Sequence, residues 1–275
     1  MKDVLVGIRA FGPRPFDYLM PKFVEMHRAC IAPYADTLIV GDHTGQDLLD
    51  RLMNTGKIRV GETITYIRAE VASSYAEDML AVADKRTQEM AIEDGYKKFV
   101  WQDIDCLYAS PGDFSRLVSH DVDAVGALTC ARTDPDTAIA RRFLPGTDGE
   151  QVDISNEEII EAINKYRITI PVMDGFPEYR DEPWLIECGF PGAGALCIDT
   201  ESTKEIYWDE MTPRWYQRVA EGRPNICLQE WFIACMEYHG LKTYLDTRVR
   251  VFHVDEQSIA NRYPGERVPL ESLSW

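Results

Sequence analysis

The sequence predicts an α/β protein built on a mostly parallel central sheet flanked by helices. Three observations carry this reading. Short apolar runs of β-type residues alternate with stretches of helical period. The helical stretches carry their own start and stop signals. The run Phe99-Val100-Trp101-Gln102-Asp103-Ile104-Asp105 brings a buried-type strand straight into two carboxylates, and open α/β sheets bind ligands at the carboxyl ends of their strands.

Residues 4–8 read as a first buried strand, followed by a loop carrying Gly12, Pro13 and Pro15. Residues 21–32 read as a helix, because Met20, Phe23, Val24, His27, Cys30 and Ile31 keep a helical period and Pro21 suits the first turn. Residues 37–40 form a second strand, ending at Gly41-Asp42, and 64–67 a third. Ser74-x-x-Glu77 is a capping box opening a helix that runs to Asp94 and is closed by Gly95. After the two acids, Ser110-Pro111-Gly112-Asp113 supplies an N-cap serine, proline at the first helical position and an early acid. Residues 122–128 give another strand. From about 132 to 183 the chain is more polar and less regular and holds one capped helix beginning Ser155-x-x-Glu158, which reads as an insertion over the sheet edge.

Gly189-Phe190-Pro191-Gly192-Ala193-Gly194 leads into an apolar strand at 195–198, and glycines there let the backbone approach a ligand closely. Residues 225–239 form a helix with Leu228, Phe232, Cys235 and Met236 on one face and Gly240 at its end. Two strands, 244–246 and 249–254, finish the body, and 256–275 is a C-terminal tail. No repeat or linker divides the chain, so a single domain is expected over 1–275.

A chain of 275 residues with 45% hydrophobic content can bury a large core. Its formal charge of −17 repels polyanions, which disfavours nucleic acid and anionic membranes as partners. The seven cysteines form no C-x-x-C pair and lie mostly in apolar surroundings, as reduced core thiols of a cytoplasmic protein would. The N-terminus lacks the hydrophobic length of a signal peptide and no stretch is long enough to span a bilayer, so a soluble, non-exported protein is expected.

The chemistry concentrates at Asp103-x-Asp105. In a strand, side chains i and i+2 share a side, so the two carboxylates are expected to converge. Two hard oxygen donors suit Mg²⁺ or Mn²⁺ held together with substrate phosphates, rather than zinc, which prefers nitrogen and sulfur.

With these parts in this order, the chain resembles the GT-A glycosyltransferases: an Asp-x-Asp at a strand end, a Gly-rich turn into an apolar strand, an acid-led helix ending in glycine, and a later strand ending in histidine. The resemblance spans roughly residues 4 to 255. It implies a Rossmann-type sheet with an acceptor-side insertion, a nucleotide-binding half over about 1–128 and an acceptor-binding half over about 129–255. It implies that Asp103, Asp105 and His253 hold Mn²⁺ or Mg²⁺ on the diphosphate of a nucleotide-sugar, a UDP-sugar being favoured. Gly7, Arg9, Phe11, Lys85, Arg86, Gln102 and Asp103 then bind the donor, with Arg86 able to grip phosphate bidentately. Gly192, Ala193, Gly194, Trp184, Gln229 and Glu230 then face the transferred sugar and the acceptor. Relatives carry a Glu-Asp pair at the head of the late helix, and here Gln229-Glu230 replaces it, which leaves Glu230 as general base and turns the first acid into an amide. The expected activity is that of a glycosyltransferase of hexosyltransferase type.

The aromatic residues Trp184, Tyr179, Trp208, Trp215 and Tyr216 could stack on sugar faces. Acceptors range from saccharides and small molecules, which are favoured, to a modified base in DNA, for which Arg132, Arg141, Arg142 and Lys165 in the insertion and Arg248, Arg250, Arg262 and Arg267 late in the chain are the cationic candidates. Two other readings compete. A nucleotidyltransferase making nucleotide-sugars would want a better triphosphate cradle than Arg9-Ala10-Phe11-Gly12-Pro13-Arg14-Pro15, with its one glycine and two prolines. A non-catalytic nucleotide- or glycan-binding module would account for the amide at Gln229.

Overall fold

The computed structural model describes residues 2–11, 18–54, 63–69, 76–131, 134–143, 151–168, 184–192, 194–208, 211, 214, 216–217, 220–221, 227–255 and 257–275. Expectations placed on Gly12, Pro13, Arg14, Pro15, Ser74, Arg132, Tyr179, Ala193, Trp215, Asn225 and the side chains of Glu77 and Lys165 fall outside them.

Strand β1 (Val4–Ala10) is buried along its whole length, as a central parallel strand covered on both faces must be. Helix α1 (Met20–Met26) runs directly into a π-type segment, His27–Ile31, so the single helix expected over 21–32 widens in its second half. His27, counted in the sequence among apolar positions, is buried there with Nε2 against Thr37 Oγ1 at 2.9 Å, and burial drives its pKa down to about 3.

Strands β2 (Asp36–Gly41) and β3 (Ile64–Arg68) enclose α2 (His43–Asn54). Helix α2 is an addition to the elements expected from sequence: Leu48 and Leu52 are its buried apolar side chains, Leu49 packs partly buried beside them, and Gly45 and polar residues fill most of the rest. Helix α3 (Ala76–Glu93) leads to β4 (Lys98–Asp103), the short β5 (Cys106–Tyr108), α4 (Pro111–Ser119) and β6 (Ala124–Leu128). The Ser110 and Asp113 capping box of α4 is formed.

The insertion contains two small hairpins, β7 (Cys130–Ala131) with β8 (Asp134–Ala138) and β9 (Arg141–Phe143) with β10 (Gln151–Asp153). Helix α5 (Asn156–Ile168), β11 (Leu185–Cys188), β12 (Ala195–Asp199) and the one-turn α6 (Thr200–Thr203) follow. Helix α7 (Leu228–Tyr238) precedes β13 (Thr243–Val254). The two strands expected at 244–246 and 249–254 are therefore one, with a register break between Asp246 and Arg250. Asp246 keeps the chain in the sheet across that break by accepting the backbone N–H and the guanidinium of Arg248. Residues expected as tail add β14 (Ile259–Arg262) and β15 (Glu266–Pro269).

The main sheet runs β15-β14-β13-β6-β12-β4-β1-β2-β3, with β5 and β11 also paired to β13. Strands β4, β1, β2 and β3 are mutually parallel, β13 is parallel to β6, and β12 lies antiparallel between β4 and β6. The sequence-based fold class, a mostly parallel α/β sheet flanked by helices, is the one observed.

Strand alternation distributes the core between the two faces. Val4, Val6 and Ile8 pack with Phe23, Phe114 and Leu117 of the α1 and α4 side. Leu5, Phe99 and Trp101 pack with Ala83, Phe232 and Met236 of the α3 and α7 side. Gly7 shares that second face, and a Cβ there would stand 1.9 Å from Thr87 Oγ1 of α3. The glycine is thus a condition of seating α3 on β1. Gly7→Ala is expected to lower stability by about 1–3 kcal/mol through overpacking, read by urea denaturation. Thr87→Ala in the same chain should recover only part of the loss, since Thr87 Cβ itself is 2.7 Å from the added methyl.

Candidate active site

Strands β1 and β4 run parallel with Arg9 opposite Asp103. Both residues belong to the α3 and α7 face, so a long cation and a carboxylate meet at the carboxyl edge of the sheet. Arg9 Nε lies 3.0 Å from Asp103 Oδ1, and Nη1 lies 3.3 Å from Asp84 Oδ2 of α3. Gln229, in the first turn of α7, donates its amide to the same Asp84 Oδ2 at 2.7 Å. Arg9 and Asp84 are almost wholly buried. Burial pushes the Asp84 carboxyl up to about 6, against the opposing charge of Arg9 and the Gln229 hydrogen bond. Burial works to lower the Arg9 pKa, but the charges of Asp103 and Asp84 raise it further.

The chain leaves β4 after Asp103 and turns through Ile104 and Asp105 into β5, so the expected convergence of i and i+2 along one strand does not hold. The two acids instead face different partners. Asp103 is about a third exposed (32%) and turns to Arg9. Asp105 turns to His253, with Oδ2 3.8 Å from Nε2. Gln102 fixes the turn from inside: its buried amide donates to the carbonyls of Asp103 at 2.9 Å and Cys106 at 2.7 Å. Both amide hydrogens are thus engaged within the turn. The Val254 N–H closes the far side of the turn on the Asp105 carbonyl at 2.9 Å.

Strand β5 pairs antiparallel with β13, placing Cys106 directly across from His253. Asp105, Cys106 and His253 offer a carboxylate oxygen, a thiol sulfur and an imidazole nitrogen all within 4.8 Å of one another, the one such group among the described residues. The donor set fits a divalent cation, with Asp103 beside it. His253 Nδ1–H donates to the Cys130 carbonyl at 2.9 Å, which directs Nε2 toward Asp105. Burial lowers the His253 pKa, but the hydrogen bond and charge of Asp105 outweigh it and the net shift is upward. Burial, and then the charges of Asp105 and Asp103, hold the Cys106 thiol well above its ordinary value.

Other expected residues are distributed as follows. A Cβ on Gly194 would stand 2.5 Å from Cys106 Sγ and 3.8 Å from Asp103 Oδ2, so the Gly-rich turn passes directly over Cys106 and beside Asp103. Gly194 also accepts the Asp103 N–H through its carbonyl at 2.9 Å. Gly192 has φ 87° and packs on Ile139. Phe11 packs partly buried against the core on the α3 and α7 side. Lys85 and Arg86 both reach Glu89 one turn on, at 3.7 and 2.7 Å, and the residue that α3 turns inward at this point is Asp84. Helical geometry explains this, since neighbours along the chain point about 100° apart. Gln229 is buried, with its amide N–H donated to Asp84.

Trp184 lies under the Arg248 guanidinium, 4.2 Å from its ring centre, beside the Asp246 break in β13. The break begins in the first half of β13 and His253 lies near its other end, so Trp184 packs away from the Asp105, Cys106 and His253 cluster. Trp208 is core, stacked on Phe232 at 5.3 Å, while Tyr216 is exposed.

Arg141 is the functional candidate the sequence left unresolved among the insertion cations. Its backbone joins β9 to Gly189 and Phe190, and its Nη1 lies 2.5 Å from Glu230 Oε1. Glu230 Oε2 accepts the Cys227 N–H at 2.8 Å in a capping box at the head of α7. Among the described residues, Arg141 therefore ties β9 of the insertion to the head of α7.

No protein family's sequence profile matches the chain, and no curated protein matches it. Solved structures do. Protein A197 from STIV superposes with a TM-score of 0.52 at 11% identity, covering 98% of this chain and 94% of its own. GalNAc-T7, crystallised with UDP, GalNAc and Mn²⁺, superposes with a TM-score of 0.53 at 12% identity over 92% of this chain. The fold is GT-A-like. The chain spans 43% of the GalNAc-T7 chain. In this GT-A-like frame the acid turn, the Gly-rich turn and the end of β13 share one sheet edge.

Arg9→Met leaves Asp84 and Asp103 without their shared cation and is expected to cost about 3–5 kcal/mol in urea denaturation, a loss under about 1 kcal/mol contradicting the role given to Arg9. Because the folded Asp84 pKa stands above its ordinary 3.8, the folded state holds a proton that the unfolded state has released. That stabilisation is complete below 3.8 and lost as pH rises through about 6. The Tm of the wild type minus that of Asp84→Asn is therefore expected to fall between about pH 4 and 7, and a flat difference would show that Asp84 titrates normally.

Proposed function

We propose that this protein is a metal-dependent glycosyltransferase that moves a sugar from a nucleoside-diphosphate sugar to an acceptor hydroxyl. The observation that carries this reading is the cluster of Asp105, Cys106 and His253, with Asp103 and its Arg9 partner, at the carboxyl edge of a GT-A-like sheet. Asp105 and His253 would hold a divalent cation, which when bound supplies positive charge to the diphosphate as it leaves. Every other role falls to the chain itself.

Arg9 holds the Asp103 carboxylate and leaves its second oxygen for a ribose hydroxyl or a metal-bound water. Gly194 brings the backbone of the Gly-rich turn against the same acids without a side chain between. Glu230 is the acid presented to the acceptor, at the head of α7. Its Oε1 is held by Arg141, so an acceptor hydroxyl must share or displace that guanidinium before Glu230 can take its proton. Direct attack under Glu230 as base inverts the anomeric centre. Lys85 and Arg86 pair with Glu89, so a donor phosphate would have to share or displace that carboxylate to reach them. A UDP-sugar with Mn²⁺ is the first pair to test, being what GalNAc-T7 holds in the same fold. Saccharides and small molecules are the first acceptors to screen.

Calorimetric titration of UDP and GDP, in Mn²⁺ and again in EDTA, tests the donor site. One nucleotide is expected to bind in a metal-dependent way, and Asp105→Ala to weaken it by at least about tenfold. If neither nucleotide binds folded wild-type protein, the glycosyltransferase reading falls. If binding survives in EDTA and in Asp105→Ala alike, the metal assignment falls.

A further inference from the structure

We propose that Cys106 is itself a metal ligand, and that the site therefore takes a borderline-soft divalent cation such as Zn²⁺ or Co²⁺ in preference to Mn²⁺ or Mg²⁺. This rests on the donor-site reading above and changes the identity of the ion within it.

Three independent features of the structure place the thiol in the coordination set. The first is register: Cys106 and His253 are directly opposed across an antiparallel pair, an arrangement that sets both side chains on one side of the sheet. Asp105, one residue earlier, stands in the turn and reaches the same point, so the three ligand atoms lie within 4.8 Å of one another. Ligands of a tetrahedral zinc with bonds of about 2.0–2.3 Å are roughly 3.3–3.8 Å apart, and the His253 to Asp105 separation is already 3.8 Å.

The second is orientation. The His253 Nδ1–H is committed to the Cys130 carbonyl, which puts the lone pair on Nε2 and points it inward, the outer-shell arrangement common to metal-bound histidines. The third is space. Residue 194 cannot carry a side chain because Cys106 Sγ occupies its position, 2.5 Å from where a Cβ would stand. The sulfur is thus packed against the backbone of the Gly-rich turn, at a point where the Asp103 carboxylate lies 3.8 Å from the same Cβ position.

Donor chemistry then selects the ion. Asp-x-Asp alone offers hard oxygens, which is why the sequence points to Mg²⁺ or Mn²⁺. The structure holds Asp103 on Arg9 through Oδ1 and brings a thiol to the group that meets within 4.8 Å, which offers one oxygen, one nitrogen and one sulfur. Thiolate and imidazole favour zinc and cobalt over manganese and magnesium. Binding releases the thiol proton to solvent, and three protein donors leave open positions for diphosphate oxygens.

The test is a titration of chelator-treated, reduced full-length protein with CoCl₂, followed by absorbance. A thiolate-to-cobalt charge-transfer band in the near ultraviolet is expected. It should be lost in Cys106→Ser and kept in Cys130→Ser. In competition, Zn²⁺ should displace Mn²⁺, and Cys106→Ser should weaken Zn²⁺ by at least about tenfold while changing Mn²⁺ far less. If Cys106→Ser fails to fold, X-ray absorption of the wild-type zinc form reads the same point through a sulfur at about 2.3 Å. Wild-type protein saturated with Co²⁺ but lacking the band, or a band that survives in Cys106→Ser, overturns the proposal while leaving metal-dependent nucleotide binding intact. Failure of Co²⁺, Zn²⁺ and Mn²⁺ all to bind removes the donor-site reading together with it.

Discussion

One buried guanidinium organises this molecule's sheet edge. Arg9 sits at the end of the central strand β1, between Asp103 of β4 and Asp84 of α3, and Asp84 in turn receives Gln229 of α7. Burying a cation is tolerable only with its charge matched and its donors engaged, and here two carboxylates share one positive charge. The result is a chain of contacts from the acid turn through two helices to the residue next to Glu230. That chain makes sense of the amide at position 229. A carboxylate there would face Asp84 in a dry environment, whereas Gln229 brings a donor.

Around this link the two faces of the sheet have different duties. The face under α1 and α4 is mainly packed with branched and aromatic side chains, with the buried His27–Thr37 contact and Cys106 among them. The face under α3 and α7 carries packing at its middle and charge at its edge, because alternation along β1 puts Leu5, Gly7 and Arg9 on one line. Gly7 lets α3 lie close, and that closeness brings Asp84 within reach of Arg9. Close packing and the electrostatics of the site are therefore the same construction.

The insertion reaches this edge from the other direction. Its β9 strand pairs backbone with Gly189 and Phe190, and Arg141 crosses to Glu230. The Arg141 side chain is 41% exposed, whereas that of Glu230 is 6% exposed.

Much of the fold was legible in the sequence because it follows from local chemistry. The strands at 4–8, 37–40 and 64–67, the Ser110 capping box, the Gly95 and Gly240 helix ends and the strand leading into Asp103 all rest on residues close together in the chain. Helix α2 was missed because its apolar stripe is thin, and β13 was split because the Asp246 bulge looks like a turn. The candidate site was half legible. Asp103, Asp105 and His253 announce themselves by residue type and position at strand ends. What surrounds them does not: Lys85 and Arg86 are as cationic as Arg9, and only the helix's rotation decides that Asp84 points inward. Gln102 and Gln229 look like ligand contacts until their amides are seen to be occupied. Cys106 reads as one core cysteine among seven until β5 pairs with β13 and sets it across from His253. The sequence by itself determined which residues could do chemistry and which segments would be helix or strand. Only the tertiary structure decided which of them meet, because pairing across strands and the facing of helices depend on partners tens to hundreds of residues away, which no local pattern encodes.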